Sequence, residues 1–199
     1  MLVAGLTGNI GMGKSYVLSV FEGLGAITID SDGIVDILMR DRLIIKKIAG
    51  LLGKEVIKRN GGLDKAVIAN IIFNNNMLRA KLEALLHPLV FKKIDSFLAG
   101  ISKKKCIVIV EVPLLFEGNY QKYFDRTITV YTNKKTAFER LKLAGISKVQ
   151  ALKRMNAQMP ITNKKKLAEY TIDNSGTKLN TRRQVKLIYR SLFEEMVQI

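Results

Sequence analysis

The chain has 199 residues, 48% of them hydrophobic, which is enough to bury a full core, so one compact catalytic unit with subdomain insertions is expected. Lysine and arginine number 33 against 17 acidic residues, and the resulting net charge of +16 favours polyanionic partners, nucleotides or nucleic acid. One cysteine excludes a disulfide framework, and no apolar run reaches the ~18–20 residues of a membrane-spanning helix, so a cytoplasmic protein with no membrane partner is expected.

The first element is an apolar strand over residues 2–6, and with a glycine-rich segment following it at once, no cleavable signal peptide is expected. That segment, Gly8-Asn9-Ile10-Gly11-Met12-Gly13-Lys14-Ser15, fits G-x-x-x-x-G-K-[ST] and opens a helix predicted over 14–24. Glycines let backbone N–H groups turn inward around phosphate oxygens. Lys14 should then reach the β- and γ-phosphates and Ser15 should place its hydroxyl on Mg²⁺, with the positive end of the helix behind both. A second strand is predicted over 26–29, and residues 30–105 then read almost entirely as helix, notably 33–52 and 77–98. This long stretch is a helical insertion. His87 precedes Pro88, which disfavours helical geometry and points to a helix break there.

Strands follow at 106–112, with Cys106 as a buried core thiol, and at 127–131. Helix 134–143 comes next. Ser147, with Gln150 three residues on, is a capping-box signature, so a new helix should start at 147 and be closed by Pro160. Lys148, Lys153, Arg154 and the triplet 164–166 could make this segment a mobile basic lid, and each triplet, 103–105 and 164–166, reads as a solvated loop or helix face rather than a binding patch. A fifth strand, 170–173, precedes a last helix over 178–197. Continuous β-branched runs alternating with helices suit a parallel sheet buried on both faces, hence an α/β fold.

In such a sheet, functional groups gather at the carboxyl ends of the strands, which singles out Asp30, Asp32 and Glu111. Glu111 could hold a metal or its water beside the phosphate loop. Asp32 fits either a general base for a substrate hydroxyl or the N-cap of the helix after it, and Asp30 either a site carboxylate or a turn residue.

Further segments sharpen the reading. Asp30-Ser31-Asp32, Leu86-His87-Pro88-Leu89, Val112-Pro113-Leu114-Leu115-Phe116-Glu117, the 151–158 segment ending in Gln158, and Asp173-Asn174-Ser175-Gly176 follow the phosphate loop in the order seen in dephospho-CoA kinases. The chain resembles that family over almost its whole length. The resemblance implies a P-loop NTPase fold, three-layer α/β/α with a five-stranded parallel sheet, in which residues 33–100 bind the coenzyme A portion and 144–167 form a short helical lid. It implies ATP-dependent phosphorylation of the 3′-hydroxyl of dephospho-CoA, the last step of coenzyme A synthesis, with Mg²⁺ as cofactor.

The resemblance also assigns residues. Asp32, Lys14 and Arg140 are the implied catalytic set, and Gly8, Asn9, Ile10, Gly11, Met12, Gly13, Lys14, Ser15, Tyr16, Asn174 and Gly176 the implied ATP contacts. Asp32, His87, Pro88 and Leu114 fall to the acceptor, and Ser15 with Asp32 to Mg²⁺, partly through water. A monomer or weak homo-oligomer without specific nucleic-acid binding is expected. The chain departs from the family at Ala144, where a second lid arginine is common, and at Glu111, where many relatives carry aspartate or an uncharged residue.

Two other classes are compatible with a phosphate loop. Another small-molecule P-loop kinase would share the fold. A GTPase-type switch would use N-K-x-D, but Asn133-Lys134-Lys135 is followed by Thr136, and no D-x-x-G motif is present.

Overall fold

Five strands, β1 (Leu2–Thr7), β2 (Ile27–Asp30), β3 (Ile107–Glu111), β4 (Arg126–Tyr131) and β5 (Tyr170–Asp173), form one all-parallel sheet in the order β2-β3-β1-β4-β5. This is a computed structural model, and it describes residues 1–198. The helices are α1 (Lys14–Gly23), α2 (Ser31–Leu38), α3 (Arg42–Leu52), α4 (Lys65–Asn74), α5 (Asn76–Ile101), α6 (Lys134–Leu143), α7 (Lys148–Asn156), α8 (Ile161–Leu167) and α9 (Lys178–Gln198). None of them is long and apolar enough to cross a membrane. The chain divides into two compact units, Met1–Asp30 with the residues from Lys103 onward, and Ser31–Ser102.

β1 is buried along its whole length because both of its faces are covered. Alternate residues Leu2, Ala4 and Leu6 join Ile107, Ile109, Ile128 and Val130 in a core closed by Val17 and Phe21 of α1 and Val185, Ile188 and Leu192 of α9. The opposite alternation carries Gly5, where a β-carbon would press on Phe124 and Leu115, and Thr129, whose hydroxyl donates to the Lys164 carbonyl of α8 at 3.2 Å. Helices and loops therefore sandwich the sheet. Cys106 lies just before β3 and is half-buried rather than sealed in the core, since its carbonyl, which accepts from Leu2 N–H at 3.1 Å, marks the rim where pairing begins.

The Ser31–Ser102 unit is helical and centres on Ile44, Ile48, Leu52, Val56, Leu63, Ile68, Leu82 and Leu86. The single helix expected over 33–52 is two, because Asp41 accepts from Leu43 and Ile44 N–H at 2.8 and 3.3 Å and so caps α3 separately. The break expected at His87 is also absent. α5 runs unbroken through Pro88, holding Leu82, Leu86, Val90 and Ile94 buried along one stripe, and that packing outweighs the missing backbone hydrogen bond.

Candidate active site

The phosphate loop spans the carboxyl end of β1 and the start of α1. β1 has β3 on one side and β4 on the other, so chain order reverses across it, and the loop occupies the topological switch point of the sheet. No side chain caps α1, so its first-turn N–H groups face the loop as anion donors. Close approach requires glycine at positions 8 and 13 in particular. A β-carbon on Gly8 would meet the Val130 carbonyl oxygen, and one on Gly13, at φ 83°, would meet the Asn174 amide nitrogen and come within 3.0 Å of the Arg140 guanidinium. Gly13→Ala is accordingly expected to lower stability by about 1–3 kcal/mol and to weaken ATP binding, read by thermal melting and calorimetry.

Met12 fixes the loop from below. Its carbonyl accepts from Asn174 Nδ2 at 2.9 Å and from Arg140 at 3.3 Å, and its buried sulfur accepts from Thr132 N–H at 3.1 Å. Arg140 also donates to the Asn174 carbonyl at 2.9 Å, and Asn174 Oδ1 accepts from the Thr181 hydroxyl at 3.0 Å. The Asn174 amide is thus engaged within the protein and acts on the nucleotide site through Met12, while Gly176 lies exposed in the following bend. Tyr16 packs outward, its hydroxyl donating to the Lys178 carbonyl at 3.3 Å and its ring carrying the Lys178 ammonium at 5.7 Å. Asn133 caps α6 by accepting from Thr136 N–H at 2.8 Å, so the segment that begins like a guanine-recognition motif is a helix start.

Charge is concentrated at the loop. Lys14 Nζ lies 3.6 Å from Glu111 Oε1, with the two side chains only 12% and 8% exposed. Register places Asp30, at the exposed end of β2, beside Glu111 on β3. These oxygens and the exposed Ser15 hydroxyl are hard donors of the kind Mg²⁺ takes. Among the described residues no cluster of three or more His, Cys, Asp or Glu is arranged to hold a metal alone, and this donor set suits an ion carried in by nucleotide phosphates.

The segment after α7 meets the loop directly. Ser147 caps α7 as expected, accepting from Gln150 N–H at 3.3 Å, but the helix ends at Asn156. Pro160 opens α8 instead of closing α7, because a fixed φ and a missing N–H suit a helix entry. Between them Gln158 Oε1 accepts from Ile10 N–H at 2.9 Å, and Asn9 Nδ2 donates to the Met159 carbonyl at 3.1 Å. The lysine triplet at 164–166 is not a solvated face. Lys164 is fully buried, 2.9 Å from Glu117 Oε1, and Lys165 lies 3.6 Å over the Tyr131 ring, leaving only Lys166 exposed. Lys164 is what sequence patterning misses, and with it the partner of Glu117, which the 112–117 motif includes without a role. Three consecutive lysines carry no mark of which one turns inward.

Asp32, His87, Pro88 and Leu114 complete the expected set. Asp32 is exposed in the first turn of α2, one position inside the helix rather than at its cap, and belongs to the Ser31–Ser102 unit. His87 and Pro88 belong to that unit on α5, where burial lowers the His87 pKa below its ordinary value against the raising influence of Glu83 one turn earlier. Leu114 is half-buried after β3.

A glycine-rich loop ending in Lys-Ser, at the switch point of a β2-β3-β1-β4-β5 parallel sheet, defines the P-loop kinase class. The sequence profile of the dephospho-CoA kinase family matches residues 2–180, and the chain belongs to that family. A dephospho-CoA kinase of Aquifex aeolicus is 35% identical over 189 residues, covering 94% of this chain and 96% of the relative. Among solved structures, TT1252 of Thermus thermophilus superposes with a TM-score of 0.84 at 27% identity, covering 96% of this chain and 97% of the other. A dephospho-CoA kinase from Campylobacter jejuni gives 0.70 at 26%, covering 97% and 98%.

Proposed function

We infer that this chain transfers the γ-phosphoryl group of ATP to the 3′-hydroxyl of dephospho-CoA, yielding coenzyme A and ADP in the last step of coenzyme A synthesis. The observation that carries the reading is the family match across residues 2–180 on a chain whose phosphate loop is built for nucleotide phosphates. The bond from the β–γ bridging oxygen to the γ-phosphorus breaks, a bond from the 3′-oxygen forms, and the hydroxyl proton leaves. Such a transfer asks the protein chiefly for positioning and charge stabilisation.

Lys14 and the N–H groups of Gly8 to Ser15 hold the β- and γ-phosphates, and Tyr16, its side chain turned outward to Lys178, adds its backbone N–H to the ATP contacts. Ser15 in this reading holds Mg²⁺ with Asp32, partly through water, and the ion supplies charge neutralisation to the phosphate oxygens. Asp32 accepts the hydroxyl proton and orients the attacking oxygen. Arg140 acts at the phosphates, a reading its hydrogen bond to Met12 supports by placing its guanidinium against the loop. Asn174 and Gly176 frame the adenine pocket. His87, Pro88 and Leu114 serve the acceptor, residues 33–100 bind its coenzyme A portion, and 144–167 supply the lid. Within that range the lid role suits α7, which buries only Ala151 and is therefore cheap to displace, whereas Lys164 of α8 is buried against Glu117 and stays with the phosphate loop. The protein works in the cytoplasm as a monomer or weak homo-oligomer.

The reading is tested by incubating the purified protein with Mg²⁺, ATP and dephospho-CoA. Mass spectrometry should find a product heavier by one phosphoryl group. A parallel panel of nucleoside monophosphates and sugars should stay unmodified. Phosphorylation of one of those, with dephospho-CoA untouched, would replace the acceptor while leaving the kinase class standing.

A further inference from the structure

Lys164 is a charged side chain sealed completely inside the protein, and no step of phosphoryl transfer described above uses it. Its ammonium donates to the Pro113 carbonyl at 2.8 Å, lies 2.9 Å from Glu117 Oε1 and reaches the Thr7 hydroxyl at 3.5 Å. Its backbone carbonyl is held on β4 by Thr129. Burial pulls its pKa below that of an ordinary lysine. Glu117 opposes the shift by hydrogen bond and charge, and Lys14 adds to it, so the two ammonium groups feel one another.

A buried ion pair is a poor source of stability, because desolvation offsets most of the attraction. This pair is also imperfect. Glu117 Oε1 serves both Lys164 and Met159 N–H at 2.8 Å, while Oε2 is buried with no hydrogen-bond partner. What the arrangement does supply is location. Thr7 directly precedes Gly8, and Pro113 stands two residues beyond Glu111, which faces Lys14. Met159 adjoins Gln158, whose side chain holds Ile10 N–H, and its own carbonyl holds Asn9. One ammonium and one carboxylate therefore join the end of β1, the segment after β3 and the segment after α7 at a single point behind the phosphate loop.

We propose that Lys164 and Glu117 are positioning residues for phosphoryl transfer, a buried ion pair that holds the phosphate loop and the Lys14–Glu111 pair in transfer geometry. The proposal deepens the kinase reading and rests on it. It is separated from a purely structural role by Lys164→Met, Lys164→Arg and Glu117→Gln, followed by kinetics in both substrates, ATP calorimetry and thermal melting. Lys164→Met should lose about 100-fold in kcat and about tenfold in ATP affinity, with the KM for dephospho-CoA within about twofold of the unmodified chain. Lys164→Arg should restore kcat to within about tenfold, since it keeps the charge and the donors. Glu117→Gln, which keeps an acceptor but removes the charge, should lose about tenfold in kcat.

If Lys164→Met does not fold, Glu117→Gln decides by the same readouts. Folded variants that melt earlier yet keep kcat and ATP affinity within about twofold overturn the proposal. If the unmodified chain binds ATP but leaves dephospho-CoA unchanged, the acceptor assignment fails instead. ATP affinity across the variants then decides the positioning role on the same twofold-against-tenfold criterion, about 0.4 against about 1.4 kcal/mol.

Discussion

Lys14→Ala is expected to reduce kcat by about 10²–10³-fold, the largest loss from any single side chain of the loop. The ammonium sits where charge spreads over the transferring oxygens, and in the protein it also faces Glu111 at 3.6 Å. Truncation therefore acts twice. It removes a cation from the phosphates and leaves an 8%-exposed carboxylate to repel them. ATP affinity should fall with kcat, while the KM for dephospho-CoA stays nearly unchanged. Steady-state kinetics checks this alongside circular dichroism to confirm the fold. A kcat within about tenfold of the unmodified chain would show that the loop binds nucleotide without Lys14 taking part in transfer.

Asp32→Asn is expected to lower kcat by about 10²–10⁴-fold with melting temperature essentially retained. The amide keeps the volume and one acceptor oxygen of the carboxylate but cannot accept the 3′-hydroxyl proton at neutral pH. Asp32 lies in the first turn of α2, where any acidic residue also interacts favourably with the helix dipole. That second role separates cleanly. A residue that only supports the helix end would show a small stability loss and normal turnover, and this pattern would remove Asp32 from the chemistry.

The parallel sheet was legible because most of its strands are β-branched-rich runs of four to six residues, and β5 and α6 fall on their expected bounds. The phosphate loop was legible for a different reason, since Gly8, Gly13, Lys14 and Ser15 are needed by chemistry at fixed offsets. Tertiary packing decided what sequence left hidden. Pro88 should disrupt a helix, yet α5 continues because Leu86 on one side of the proline and Val90 on the other are buried. Asp41 was a readable cap, overlooked within a longer apolar periodicity. Lys164 was hidden more deeply. Nothing local distinguishes it from Lys165 and Lys166, and only the partners that converge on its ammonium, from Thr7 to Glu117, give it an interior place.

The position of β1 between β3 and β4 also bears on how the chain assembles. Leu2 is paired with Ile107, and Ala4 with Arg126, so β1 finds neither neighbour until the whole Ser31–Ser102 unit has followed it. Closing so wide a loop carries an entropic penalty before any pairing energy is returned. The Ser31–Ser102 unit has its own apolar centre, and its folding would gather much of that intervening length before β3 emerges. The nucleotide cradle thus waits on segments far along the chain, a timing that keeps it from forming before β3 and β4 are made.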